Sequence, residues 1–220
     1  MHRCYAIVAT TTPCPTSMTK TTEEQIIQIH REFHSMMNGP VSQSMREKGL
    51  KYKVIFGVEL PRLMAFAATL PHTRELAQAL WKENIRESRI IAPMLMPTEE
   101  FCPEMADIWL EQANYAEEVQ CCVMYLFQRL PYAPQKAFEW MADERSMFQM
   151  CGFQLIARLF ANGTEASPRG EDEFLDQAAT ALNSNDFHVR KAAHTAILKF
   201  MDLNLRCERR GDSLLTDAGL

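Results

Sequence analysis

Ala79-Leu80-Trp81-Lys82-Glu83-Asn84-Ile85-Arg86-Glu87-Ser88-Arg89-Ile90-Ile91 is the stretch on which the fold turns. Leu80 and Trp81 close one apolar helical stripe, Lys82 to Asn84 make a polar corner, and Ile90 and Ile91 belong to the stripe of a second helix. The same plan returns three times. Ile108-Trp109, Glu139-Trp140 and Ala181-Leu182 each close a first helix, and a polar corner and a second helix follow each. The spacings are 28 residues from Trp81 to Trp109, 31 from Trp109 to Trp140 and 42 from Trp140 to Leu182. The last is long because Asn162 to Gly170 reads as a loop insertion. Helix pairs recurring at such a period predict an all-α chain arranged as an α-solenoid.

The rows at i, i+3 and i+4 name the expected core. In the first repeat Leu76, Ala79 and Leu80 face Ile90, Ile91, Met94 and Leu95, and Pro93 is expected to kink the second helix. In the second, Met105, Ile108 and Trp109 face Val119, Cys122, Val123, Leu126 and Phe127. In the third, Pro134 starts a helix whose Ala137, Phe138 and Met141 pack on Phe148, Gly152, Leu155, Ile156 and Leu159. In the fourth, Phe174, Leu175, Ala178 and Leu182 meet Val189, Ala192, Ala193, Ile197 and Phe200. The three tryptophans occupy equivalent repeat positions and read as packing residues.

Upstream, Thr21-Thr22-Glu23-Glu24 forms a capping box for a helix running to about Asn38 and stopped by Gly39-Pro40. His30 and His34 lie four apart on it, a spacing two metal ligands can share. The order His-Arg-Glu-Phe-His is not the zinc-protease motif and no third ligand is evident, so no metal is expected. Val41 to Lys48 reads as a short helix, the stretch from Lys51 to Val58 as a loop between helix pairs, and Pro61 as the first turn of a helix to about Leu70. Residues 1–20 read as a disordered extension, with Met18 a candidate start. From Arg206 onward the polar, Gly-containing end is expected to fray, leaving residues 21–205 as the folded domain.

Of the 220 residues 47% are hydrophobic and 23% charged, ordinary for a globular chain, and no apolar run approaches the ~20 residues of a membrane span. The net charge of −5 argues against a uniformly basic nucleic-acid binder but leaves a local basic face open. Seven cysteines without a Cys-x-x-Cys pair suit reduced thiols in a cytoplasmic protein.

Three stretches together carry a resemblance. Phe56-Gly57-Val58 with Pro61 and Leu63, Leu80-Trp81 with Arg86-Glu87, and Asn185-Asp186-Phe187-His188-Val189-Arg190-Lys191-Ala192 resemble the HEAT-like DNA alkylation repair proteins. The likeness runs from about Thr21 to Leu205. It implies HEAT-like helical repeats curved into a C, with second helices lining a concave face that binds double-stranded DNA. It also implies, for catalytic members, an N-glycosylase (a hydrolase acting on damaged DNA) that releases 3-methyladenine and 7-methylguanine. That chemistry uses an aromatic pair and an acidic residue around the sugar, helped by an arginine, without a cofactor.

The departures from the family pattern fall on those residues. Where the family carries Trp-Trp-Asp-x-Val-Asp, this chain has Tyr115-Ala116-Glu117-Glu118-Val119-Gln120. The position of the active-site arginine is Met150, and that of a later tryptophan is Thr195. Glycosidic cleavage builds positive charge on the sugar, which a carboxylate stabilises and an amide does not. Tyr115, Glu117 and Glu118 are therefore the candidate catalytic residues. Arg86, Arg89, Arg145, Arg190 and Lys191 fall at the starts of second helices and are the candidate DNA contacts, aided by helix N-terminal amides. The plainer reading pairs them with Glu83, Glu87, Glu144 and Asp186. The alternative function is a catalytically inactive scaffold that binds protein or nucleic acid on its concave face.

Overall fold

The computed structural model describes residues 21–219, which form twelve α-helices. They are α1 (Thr22–Ser35), α2 (Gly39–Glu47), α3 (Leu60–Ala67), α4 (Arg74–Trp81), α5 (Arg86–Leu95), α6 (Pro103–Gln112), α7 (Ala116–Tyr125), α8 (Ala133–Met141), α9 (Ser146–Ala161), α10 (Pro168–Leu182), α11 (Phe187–Met201) and α12 (Leu205–Asp217). No β-strand occurs among the described residues; one isolated bridge joins Val54 and Ile85. Residues 1–20, including the expected extension and Met18, lie outside the described part.

The four corners read from the sequence join α4 to α5, α6 to α7, α8 to α9 and α10 to α11. The second helices α5, α7, α9 and α11 pack side by side in chain order, so each repeat touches its neighbours through them. Their buried stripes form one continuous core with Leu76, Leu80, Phe174 and Ala178 of the first helices. The tryptophans link successive repeats. Trp81 and Trp109 stack with ring centroids 4.5 Å apart and an interplanar angle of 4°, Phe101 meets Trp109 edge-on at 5.1 Å, and Phe127 lies 5.2 Å from Trp140. Trp81 Nε1 donates to Gln112 Oε1 at 3.0 Å and Trp140 Nε1 to Asp107 Oδ1 at 2.8 Å, so these two buried indoles keep their donors satisfied.

At Gly152 the contact of α8 with α9 is close. A Cβ there would lie 2.5 Å from Met141 N and 2.8 Å from Ala137 O, which a side chain cannot occupy.

Several expectations need correction. Gly39 and Pro40 open α2 rather than stopping α1; Asn38 caps α2 by accepting from Val41 N, and proline suits a first turn. Ala79 is only partly buried and Ala77 takes the core position, while Ile108 is 49% exposed although Trp109 beside it is buried. Pro93 sits inside α5, which ends two residues later at Leu95. The expected frayed end is helical as α12, because Asn204 caps it, Cys207 and Gly211 are buried against α11, and Arg206 and Arg210 both pair with the buried Glu171 of α10.

The loop from Lys51 to Val58 is held from inside. Glu87 has no exposed surface, and its carboxylate accepts from the backbone N–H groups of Phe56 at 3.1 Å, Gly57 at 2.9 Å and Val58 at 3.3 Å. Gly57 has φ +76°, and a Cβ there would collide with Asn38 O and with Ser42 N of α2. Glu87→Ala should cost about 3–5 kcal/mol, because three buried donors lose their acceptor and Arg86 loses a counter-charge. Gly57→Ala should also destabilise, through both φ and the clash. Urea unfolding of each variant measures this; a wild-type midpoint for Glu87→Ala would mean the loop is held by something else.

Candidate nucleic-acid interface

Sequence placed charged residues at the starts of second helices, and the structure does gather them there, but against one another. Arg86 is 6% exposed. Its Nε lies 3.2 and 3.1 Å from the two oxygens of Glu117, its Nη2 donates to Glu117 Oε2 at 3.0 Å, and its Nη1 donates to Val58 O at 3.2 Å. Burial works to lower the Arg86 pKa, but the charge and hydrogen bonds of Glu117, then of Glu87, raise it above the ordinary value. Arg89 donates to Glu83 O at 3.1 Å, Gln112 O at 2.7 Å and Glu118 Oε2 at 3.2 Å, and its guanidinium lies 5.0 Å from the Trp81 ring. Both guanidiniums are engaged within the protein, Arg86 by Glu117 and Arg89 by Glu118, so for these two the plainer pairing reading describes the geometry.

The candidate catalytic residues belong to the same network. Glu118 has no exposed surface and accepts from Asn114 N at 2.7 Å as well as from Arg89. Glu117 also accepts from the Tyr52 hydroxyl at 3.1 Å. Burial first, and then the charges of Glu118 and Glu117, push the Tyr52 phenol far above its ordinary pKa, so it remains a donor. Tyr115 packs on Tyr52 with centroids 4.5 Å apart, and its hydroxyl accepts from Lys51 N at 2.8 Å. Tyr115, Glu117 and Glu118 thus tie α7 to α5 and to the Lys51–Val58 loop.

Three of the residues that depart from the resembled pattern come together, and Tyr115 and Ala116 do not join them. Gln120, Met150 and Thr195 all line one cleft of about 360 Å³ between α7, α9 and α11. From α7 come Gln120, Val123 and Met124; from α9 come Met150, Gln154, Ala157 and Arg158. From α11 come Phe187, His188, Lys191, Ala192 and Thr195. The α7 set falls at i, i+3 and i+4, the α9 set at i, i+4, i+7 and i+8, and the α11 set on two adjacent rows four residues apart, so each lies along one helix face. The floor is apolar, the rim carries Arg158 and Lys191, and no carboxylate lines the cleft. Arg158 Nε donates to Gln128 Oε1 at 3.2 Å, and neither Arg158 nor Lys191 has a carboxylate partner among the described residues.

The remaining candidates, Arg190 and Arg145, do not line it. Arg190 Nη1 donates to Ser184 O at 2.6 Å, and its guanidinium lies 6.0 Å from the Phe187 ring. Arg145 is exposed but engages Asp143 at 2.8 Å and Glu111 at 3.0 Å while covering the Phe148 ring. At the start of α11 the N-terminal amides of His188 and Val189 are already taken by Asp186 at 2.7 and 3.3 Å, so that helix end does not offer them to a ligand. Arg158 and Gln154 are not among the sequence candidates, and Phe187 and His188 enter only through the resemblance; the i+4, i+8 row from Met150 is the signal that leads to Gln154 and Arg158.

Other sites are structural. His30 Nε2 lies 2.9 Å from Glu83 Oε2, His34 is exposed beside Phe56, and no group of three metal-ligating side chains forms among the described residues. Burial pushes the Cys121 thiol up to about 12 and those of Cys122 and Cys151 well above the ordinary value, which keeps them protonated and unreactive. Among the described residues no helix is long and apolar enough to cross a membrane.

A family model described as DNA alkylation repair enzyme matches residues 29–199. No curated protein matches the sequence. A solved structure described as "a new family of proteins related to the HEAT-like repeat DNA glycosylases with affinity for branched DNA structures" is similar over 87% of this chain and 82% of that chain. The TM-score is 0.79 at 12% sequence identity, a likeness that shows a shared HEAT-like helical fold.

The two classes of cation should separate in one experiment. Arg86→Ala leaves Glu87 and Glu117 without their buried partner and should lower stability by about 3 kcal/mol or more. Lys191→Ala, at an exposed site, should change it by no more than about 0.5 kcal/mol. Equal melting temperatures for the two variants would show that the Arg86 pair adds nothing to the fold.

Proposed function

The chain belongs to the DNA alkylation repair enzyme family, and from that premise we propose that it is a DNA-binding repair protein that grips the phosphate backbone along the α7–α9–α11 cleft without cleaving a glycosidic bond. The observation that carries this is a cleft bearing Arg158 and Lys191 and no carboxylate, in a chain of net charge −5. Uncompensated cations on an acidic protein are favoured where a polyanion releases its counterions on binding. Arg190, held beside Phe187, extends the basic rim. The affinity of the structurally similar proteins for branched DNA supports the same class of partner.

Excision of 3-methyladenine or 7-methylguanine needs negative charge beside the sugar as it turns cationic. In the cleft that place is offered the neutral amide of Gln120, and Glu117 and Glu118 are held by Arg86 and Arg89 away from its lining. Recognition without excision is therefore the reading the residues support. A scaffold for protein partners would use the apolar floor equally well; the basic, carboxylate-free rim favours nucleic acid.

Duplex binding across a salt series tests this. Arg158→Glu with Lys191→Glu should weaken affinity at low salt by about tenfold or more and flatten the salt dependence by about two phosphate contacts; an unchanged slope would remove this surface from consideration. On methylated duplex DNA the wild type should release no more purine than a Glu117→Gln, Glu118→Gln control. Release above that control would restore excision chemistry.

A further inference from the structure

Phosphate contact accounts for Arg158 and Lys191 but leaves other features of the cleft unused. Phe187 is 61% exposed and Met124 is 41% exposed at its mouth. The Phe187 ring is not loose: His188 meets it edge-on at 5.8 Å, and Arg190, itself anchored on Ser184 O, lies 6.0 Å from it. Beside them, the exposed Gln120 and the half-buried Gln154 line the same cleft, and their side-chain amides have no hydrogen-bond partner among the described residues. An amide of this kind offers two donors and an acceptor.

We infer that the cleft receives a single unstacked nucleobase, with Phe187 as the stacking surface and Gln120 and Gln154 facing the base edge, so that the protein discriminates DNA carrying an unpaired base from intact duplex. This rests on the DNA-binding reading and deepens it. In an intact duplex both faces of every base are covered by neighbours, so an exposed phenyl ring and an apolar floor gain nothing from it. An unpaired base has a free aromatic face for the ring and free edges for amides. Its attached phosphates fall within reach of a rim that carries cations and no carboxylate. The volume of about 360 Å³ lies in the range of sites that enclose small planar ligands. An apolar protein side chain would fill the floor but leave both amides and both cations without a use.

The test compares three fluorescent oligonucleotides of one sequence: intact duplex, the same duplex with one unpaired adenine, and the single strand. Base–aromatic stacking is worth about 1–3 kcal/mol, so the wild type should bind the bulged duplex on the order of tenfold tighter than the intact one. Phe187→Ala should bring that ratio close to one and Phe187→Trp should keep it; Gln120→Ala should reduce it as well, without touching the ring. Equal wild-type affinity for bulged and intact duplex overturns the inference while leaving DNA binding in place. So does a Phe187→Ala variant that keeps the wild-type ratio. Binding to none of the three removes the DNA-binding reading and this inference with it.

Discussion

The carboxylate of Glu87 sits where water cannot reach it, and a buried charge persists only if something in the protein replaces its hydration. Three backbone N–H groups of the Phe56–Val58 loop and the Arg86 guanidinium do so. Arg86 in turn requires Glu117, and Glu117 receives the Tyr52 hydroxyl from the same loop. Thus one acid in the first turn of α5 fixes the loop before α3, the entry of α5 and the register of α7 against it. A parallel pair, Arg89 with Glu118, does the same one turn on and closes over Trp81. The repeat stack starts from this knot, because helices joined only by apolar stripes can slide past one another, whereas buried ion pairs hold one register.

The same knot decides where function can lie. Cations and acids clustered at helix starts look, in a list of residues, like a phosphate cradle with a catalytic carboxylate. Once they neutralise each other inside the protein, what remains for a ligand lies one repeat further on, where α9 and α11 leave Arg158 and Lys191 facing a cleft without an acid. Gln120, Met150 and Thr195, three of the residues that depart from the resembled pattern, fall in that cleft, while Tyr115, a fourth, packs on Tyr52 in the knot.

The helix pairs were legible because solenoid repeats advertise themselves twice, in the 3.6-residue apolar rows and in tryptophans that return at equal places. Trp81 and Trp109 do stack across one repeat boundary, and Trp140 reaches across the next by its bond to Asp107. Ile108 could not be placed, since next to a buried Trp109 a row of i+3, i+4 apolar residues does not say which member turns outward. The partners of Arg86 and Arg89 were hidden for a different reason. Glu117 and Glu118 lie about thirty residues away, and no local pattern separates a charge that meets a distant partner from one that meets solvent. Leu205 to Asp217 misled because its composition is polar, while its order comes from one cap at Asn204 and two arginines reaching Glu171.

That final helix has a consequence for the molecule as a stack. A solenoid grows by adding a helix face to the apolar face before it, and nothing in a repeat by itself says where to stop. α12 covers the flank of α11 so closely that Gly211 sits against Met201, while what it turns outward is mostly polar apart from the exposed Leu205. The helix therefore covers the flank that α11 would otherwise leave bare. Without it the apolar residues of α11 that Cys207 and Gly211 cover would face water, so the last repeat owes part of its burial to a helix outside the repeat pattern.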